Sequence, residues 1–186
     1  MNANHGTTLA AHIRTYIRAK DENRPHLMQR AFAESATLEM VVRTRAIAFP
    51  PITHGRGSIT DVLVRQFVKE YENVYTFCLS DAPSADSLRF KCGWLVVMSE
   101  KDSGQVRVGY GHYDWSWSPK VSPLVNRLAI TIERMETFPA SVADPAFDWV
   151  EGLTYPWCPA GQLGNQLPRG DELRTVVLQA VRICAL

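Results

Sequence analysis

Leu9, Ile13, Tyr16 and Ile17 recur at helical spacing. A stripe of this kind is the buried face of an amphipathic helix. It predicts a helix over residues 7–21, with Arg14, Arg18 and Lys20 turned mostly away from the apolar side. Asn23-Arg24-Pro25 then supplies a cap followed by proline in a first helical turn. Leu27, Met28, Ala31 and Phe32 give a second, shorter stripe. With so few residues between them, the two helices are expected to pack as an antiparallel hairpin. Residues 37–42 are rich in β-branched side chains and read as a strand. Residues 48–57 carry Pro50, Pro51, Gly55 and Gly57 and read as a loop. Ser58 can cap a third helix, with Asp61 in its first turn and Ile59, Val62, Leu63, Gln66, Phe67 and Tyr71 along it.

From Asn73 onward the period changes from helical to alternating. Tyr75, Phe77 and Leu79 alternate with Thr76, Cys78 and Ser80. Residues 88–98, 105–117 and 126–137 read as three further strands, with a hairpin turn at Lys101-Asp102-Ser103-Gly104. Long strands with short turns make a meander, hence an antiparallel sheet. Helices first and strands after read as α+β, with the helices on one face of a curved sheet. Beyond residue 138 the pattern changes again. Asp144-Pro145 starts a short helix through Val150, residues 155–159 are extended or turn, and residues 161–170 read as a loop. Leu173, Val176, Val177, Ala180 and Val181 restore a helical stripe, which must be buried on the domain or on a partner subunit.

Composition narrows the classes. At 186 residues, with 46% hydrophobic and 21% charged residues, the chain is an ordinary globular domain rather than a disordered one. A net charge of +1 argues against nucleic acid or an anionic membrane as the main partner. No apolar run approaches the roughly 20 residues of a membrane span. Met1 to Gly6 has no apolar signal core, so a cytoplasmic location is expected. Cys78, Cys92, Cys158 and Cys184 form no C-x-x-C pair, and the five histidines form no H-x-x-x-H or H-E-x-x-H. Reduced thiols, no structural metal and no cofactor are expected. No dinucleotide loop, phosphate loop or G-x-S-x-G is found.

The richest polar stretch is Gly109-Tyr110-Gly111-His112-Tyr113-Asp114-Trp115-Ser116-Trp117. On a strand, Tyr110, His112, Asp114 and Ser116 share one face, and Tyr113, Trp115 and Trp117 the other. Two arrangements fit. His112 and Asp114 can face a dry pocket, where a carboxylate beside an imidazole suits general acid–base work. Alternatively they lie on a wet sheet face or against a partner, with the aromatic residues in the core. Phe90 and Trp94 share a strand face with Cys92, Val96 and Met98, which is sheet core or the lining of an apolar cavity. Cys158, between Trp157 and Pro159, has no local base to make it nucleophilic. Arg43, Arg45, His54 and Arg56 form a small basic stretch, either solvated or at a pocket mouth.

Ile13-Arg14-Thr15-Tyr16-Ile17 with Ala19-Lys20-Asp21, the step Phe32-Ala33-Glu34-Ser35-Ala36-Thr37-Leu38-Glu39, and Gly57-Ser58-Ile59 resemble the opening of the nuclear transport factor 2-like superfamily. That group also holds SnoaL-like cyclases, ketosteroid isomerase and scytalone dehydratase. The resemblance implies a cone-shaped, cystatin-like fold of three N-terminal helices against a strongly bent antiparallel sheet, with a C-terminal helical extension. It places the domain at residues 7–138 and the extension at 139–186, and it implies a homodimer. Tyr16 falls where ketosteroid isomerase has the tyrosine that hydrogen-bonds the dienolate oxygen. The position of that enzyme's carboxylate base falls on Met40, which cannot abstract a proton, and the adjacent Glu39 points to the other strand face. The expectation is a protein holding a small apolar or aromatic molecule in the cone, with Phe90, Trp94, Tyr110 and Met40 as ligand-binding residues. The alternative is a cofactor-independent lyase, isomerase or cyclase, with His112 and Asp114 as the acid–base pair and Tyr16 as hydrogen-bond donor.

Overall fold

The computed structural model describes residues 8–184; Met1 to Gly6, the expected helix start at Thr7 and the side chain of Cys184 lie outside the described residues. Helix α1 spans Leu9–Asp21, capped by the Thr8 hydroxyl, which accepts from the Ala11 N–H at 3.3 Å. Leu9, Ile13, Tyr16 and Ile17 are buried, as their spacing requires. Lys20 is buried with them rather than turned away, because it lies four residues after Tyr16 on the same stripe. The expected second helix is only a 3₁₀ turn, Pro25–Arg30. Strand β1 starts at once and runs Phe32–Val42, five residues earlier than its β-branched segment predicts. Phe32 thus belongs to a strand, where pairing with the sheet overrides the helical preference of its neighbours.

The proline-bearing loop contains a short strand, β2 (Ile52–His54). The third helix is broken into α2 (Arg56–Thr60), a π-helical turn (Asp61–Gln66) and α3 (Phe67–Glu70). Tyr71, expected at its end, begins β3 (Tyr71–Cys78). The meander follows as β4 (Arg89–Glu100), β5 (Val106–Ser116) and β6 (Val125–Phe138). The six strands form one sheet in the order β2-β1-β6-β5-β4-β3. The sheet is not wholly antiparallel: β1 pairs parallel with β6, while every other neighbouring pair is antiparallel. Strand β1 lies outside the meander in sequence and joins the free edge of its last strand, so no hairpin fixes its direction.

Each sheet face buries its own core. On the inner face, α1 and the α2–α3 segment pack over Leu38, Met40, Cys92, Trp94, Val96 and Trp115. On the outer face, Phe77, Leu95, Val97, Val108 and Tyr110 are covered by the C-terminal residues. These form α4 (Ala143–Glu151), α5 (Ala160–Asn165) and α6 (Asp171–Cys184). The short helix α5 falls in the segment expected to be loop. The stripe of α6 is buried on this chain's own sheet through Leu173, Val177 and Ala180.

Candidate functional site

The inner core leaves a cavity of about 50 Å³ between α1, the α2–α3 segment and the sheet. Tyr16 reaches it from α1, while Trp94 and Tyr113 reach it from β4 and β5. Tyr16 stands edge-on to Trp115 at 5.4 Å and to Tyr113 at 6.3 Å between ring centroids. Trp94 stacks on Tyr113 at 5.7 Å. The Tyr16 and Tyr113 hydroxyls hydrogen-bond each other, and burial raises both pKa values well above the ordinary tyrosine range. Both therefore stay protonated at physiological pH. Met40, Met98 and Met135 complete much of the wall, and Ile47, Phe49 and Phe67 close its outer side.

Among the described residues, Lys20 is the one charged residue in the wall. Its Nζ donates to Asp21 Oδ1 at 2.7 Å and to Thr76 Oγ1 at 2.6 Å, and lies 5.0 Å from the centre of the Phe67 ring. Asp21 also accepts from the Thr76 N–H at 2.7 Å, the Thr76 hydroxyl at 2.8 Å and the Tyr155 hydroxyl at 2.8 Å. The ion pair is thus nearly saturated with protein partners, as a buried pair requires. Sequence reading misses Lys20 because a lysine is assumed to face water. Its position on the Tyr16 stripe is the signal that could have found it.

The expected site residues separate. Tyr16, Met40 and Trp94 are in the cavity wall. Phe90 is on the same sheet face, packed edge-on to Trp157 at 6.1 Å, but outside that wall. Tyr110 is on the opposite face beneath α6, its hydroxyl 3.5 Å from Gln179 Oε1. His112 and Asp114 follow Tyr110 on that outer face, because strand residues two apart point the same way. They do not pair with each other. His112 Nδ1 lies 3.6 Å from the Glu133 carboxylate, and Asp114 Oδ2 lies 3.5 Å from Lys91 Nζ and 3.7 Å from an Arg127 nitrogen. Neither residue meets Tyr16 in one cavity, so the arrangement with an acid–base pair facing the dry pocket is not the one formed. Sequence alternation leaves both orientations open, and the packing of Tyr113 and Trp115 on the inner side decides between them.

Strand β1 divides its residues in the same way. Met40 faces the cavity, while Glu39 faces out and accepts two bonds from Arg127 at 2.7 and 2.8 Å. The guanidinium holds the Glu39 carboxyl below its usual range. Cys158 is fully buried, and burial pushes its thiol up to about 11, so it is a protonated packing residue. Among the described residues, no group of three His, Cys, Asp or Glu could hold a metal ion. No described helix is long and apolar enough to cross a membrane. The basic stretch is dispersed: Arg43 pairs with Glu133, and Arg56 donates to the Phe32 carbonyl at 3.2 Å.

No protein-family model and no curated protein sequence matches the chain. Solved structures do match. A nuclear transport factor 2-like protein from Salmonella enterica superposes with a TM-score of 0.53 at 14% identity, covering 68% of this chain and 89% of that one. The fold is that of the nuclear transport factor 2-like superfamily. A proposed isomerase from Rhodopseudomonas palustris, also at TM-score 0.53, is 10% identical over 65% of this chain and 85% of its own. A computationally designed binder of 17-OHP matches at TM-score 0.53 and 11% identity, covering 70% of this chain and 98% of that one. Identities this low carry the nuclear transport factor 2-like fold alone. The chemistry has to come from the residues in the cavity.

Proposed function

We propose that this nuclear transport factor 2-like chain binds a small apolar or aromatic molecule in the inner cavity and performs no acid–base chemistry there. One observation carries the reading: among the described residues, the wall holds aromatic rings, three methionines and branched aliphatic side chains, but no carboxylate and no imidazole. A general base must come within hydrogen-bond reach of the proton it removes. His112 and Asp114, on the far face of the sheet, are engaged with Glu133, Lys91 and Arg127 instead. The charge on Lys20 is already matched by Asp21. The neutral Tyr16–Tyr113 pair can orient a polar end of a ligand, but the driving force is burial of apolar surface. The designed 17-OHP binder supports the reading in that its scaffold has the same fold. The C-terminal residues 139–186 serve as an extension of the domain at 7–138. A homodimer would have to use a surface other than the outer face of β3, β4 and the start of β5, which α4 to α6 occupy.

Calorimetric titration with naphthalene tests this. Wild type, His112→Ala and Asp114→Ala should bind alike. Ile130→Phe, which adds bulk to the cavity wall, should weaken binding by about tenfold or more, or about 1.4 kcal/mol. Loss of binding in the folded His112 or Asp114 variants, with Ile130→Phe unaffected, would put the ligand on the outer face and end the reading.

A further inference from the structure

The cavity is too small for the ligand it is proposed to hold. At about 50 Å³ it is a third of the roughly 150 Å³ that accommodates benzene in an engineered core. Ordinary ligand sites begin near about 300 Å³. On the binding reading, the cavity therefore has to widen before a ligand enters.

One segment of the wall is held by few hydrogen bonds. Residues 43–51 connect β1 to β2 and form no regular structure between them. The segment is tied at its two ends, where the Arg43 N–H donates to the Ile132 carbonyl at 2.9 Å and the Met40 N–H to the Pro51 carbonyl at 2.8 Å. Between these ties the described residues carry one hydrogen bond, the local bond from Ala46 N–H to Thr44 Oγ1. Inside the segment, exposure alternates: Arg45, Ala46, Ala48 and Pro50 are exposed, while Ile47 and Phe49 are half-buried. Two apolar side chains thus peg an otherwise loosely held strap to the protein. A second void of about 100 Å³ lies on the outer side, bounded by Ala48, Pro50, Gln66 and Glu70. Ile47, Phe49 and Phe67 line both voids and are the partition between them.

We infer that Phe49 is the plug of the ligand site and that residues 43–51 are its strap: swinging Phe49 outward joins the two voids into one chamber that opens between the strap and α3. This inference rests on the binding reading and adds to it the entry route and a residue that sets ligand size. Three features fit. Between its two end ties the strap makes, among the described residues, no hydrogen bond to the sheet, so lifting residues 44–50 breaks none. Phe49 is half-buried, so its removal from the wall costs less than unseating a core aromatic. Met40, Met98 and Met135 line the cavity from the sheet, and methionine repacks around a new shape more readily than branched side chains do. A protein whose competent state is a minor population binds with an apparent affinity reduced by that fraction.

Stopped-flow mixing with N-phenyl-1-naphthylamine, a neutral dye that brightens out of water, reads both rate constants. Phe49→Ala should raise the association rate by about tenfold or more while changing dissociation much less, so that apparent affinity tightens by about the same factor, since a minor open state of 0.1–10% is the normal range. Ile47→Ala should act in the same direction. Val96→Ala, which enlarges the wall away from the strap, should change affinity through dissociation without faster entry. Thermal melts establish that each variant is folded. If wild type binds and both strap variants keep its two rates, the plug is wrong and the binding reading survives. If neither wild type nor the folded strap variants bind, both fall.

Discussion

Gly111 has no side chain because β5 passes too close to its neighbours for one. A Cβ there would meet the Thr131 carbonyl on β6 and lie 3.0 Å from the Trp94 ring. The obstacle is backbone on one side and a cavity-lining ring on the other, and neither can yield cheaply. Gly109 differs: its Cβ would meet chiefly the flexible end of Met135, which can swing aside. Gly111→Ala should therefore destabilise by about 3 kcal/mol or more, while Gly109→Ala should cost clearly less. Paired denaturant titrations check this, and equal costs would contradict the described packing. Composition showed only that both glycines interrupt a strand. Which one is held by backbone contact depends on the β5–β6 register, which shifts between Tyr110 and Gly111 and has no signature in the sequence. Lys20 makes the complementary point. Its stripe position was legible, but its burial depended on Asp21 and Thr76 meeting it from two elements.

At the scale of elements, Asp21 is the joint of the molecule. It ends α1, accepts both donors of Thr76 on β3, and takes the Tyr155 hydroxyl from the C-terminal extension. Asp21→Ala would leave the Lys20 ammonium buried with the Thr76 hydroxyl as its remaining hydrogen-bond partner, a loss of about 3–5 kcal/mol for a broken buried pair. Lys20→Met should cost less, because Asp21 keeps two hydroxyl donors and a backbone N–H. Urea unfolding of the two variants should show that order, and the reverse order would mean that the ammonium is solvated. Alternation made β3 to β6 legible, since each has one face on a core and a period of two. The start of β1 and its parallel pairing were not legible, because a strand's partner is chosen by the whole sheet rather than by its own pattern. Helix α5 was hidden by the Gly161-to-Gly170 composition, and its Leu163 is held by the outer core.

The whole molecule is a sheet with a core on each face, and the proposed binding site follows from how differently the two are filled. The outer face is occupied by α4 to α6 over β3, β4 and the start of β5, leaving His112, Asp114 and Glu39 on its uncovered, ion-paired part. The inner face keeps a void among rings and methionines. Each large apolar side chain buried there contributes roughly 1.5–3 kcal/mol, so folding alone would favour filling that space. The central claim is that the void is the seed of a binding site for an apolar molecule. The most direct measurement is a naphthalene titration followed by the methyl signals of protein labelled with [methyl-¹³C]methionine. Met40, Met98 and Met135 line the cavity, while Met28 is buried in the same core outside its wall. The account predicts saturable ring-current shifts of the three lining methyls with Met28 nearly still. Shifts absent from those three, or equal shifts at Met28, would contradict it.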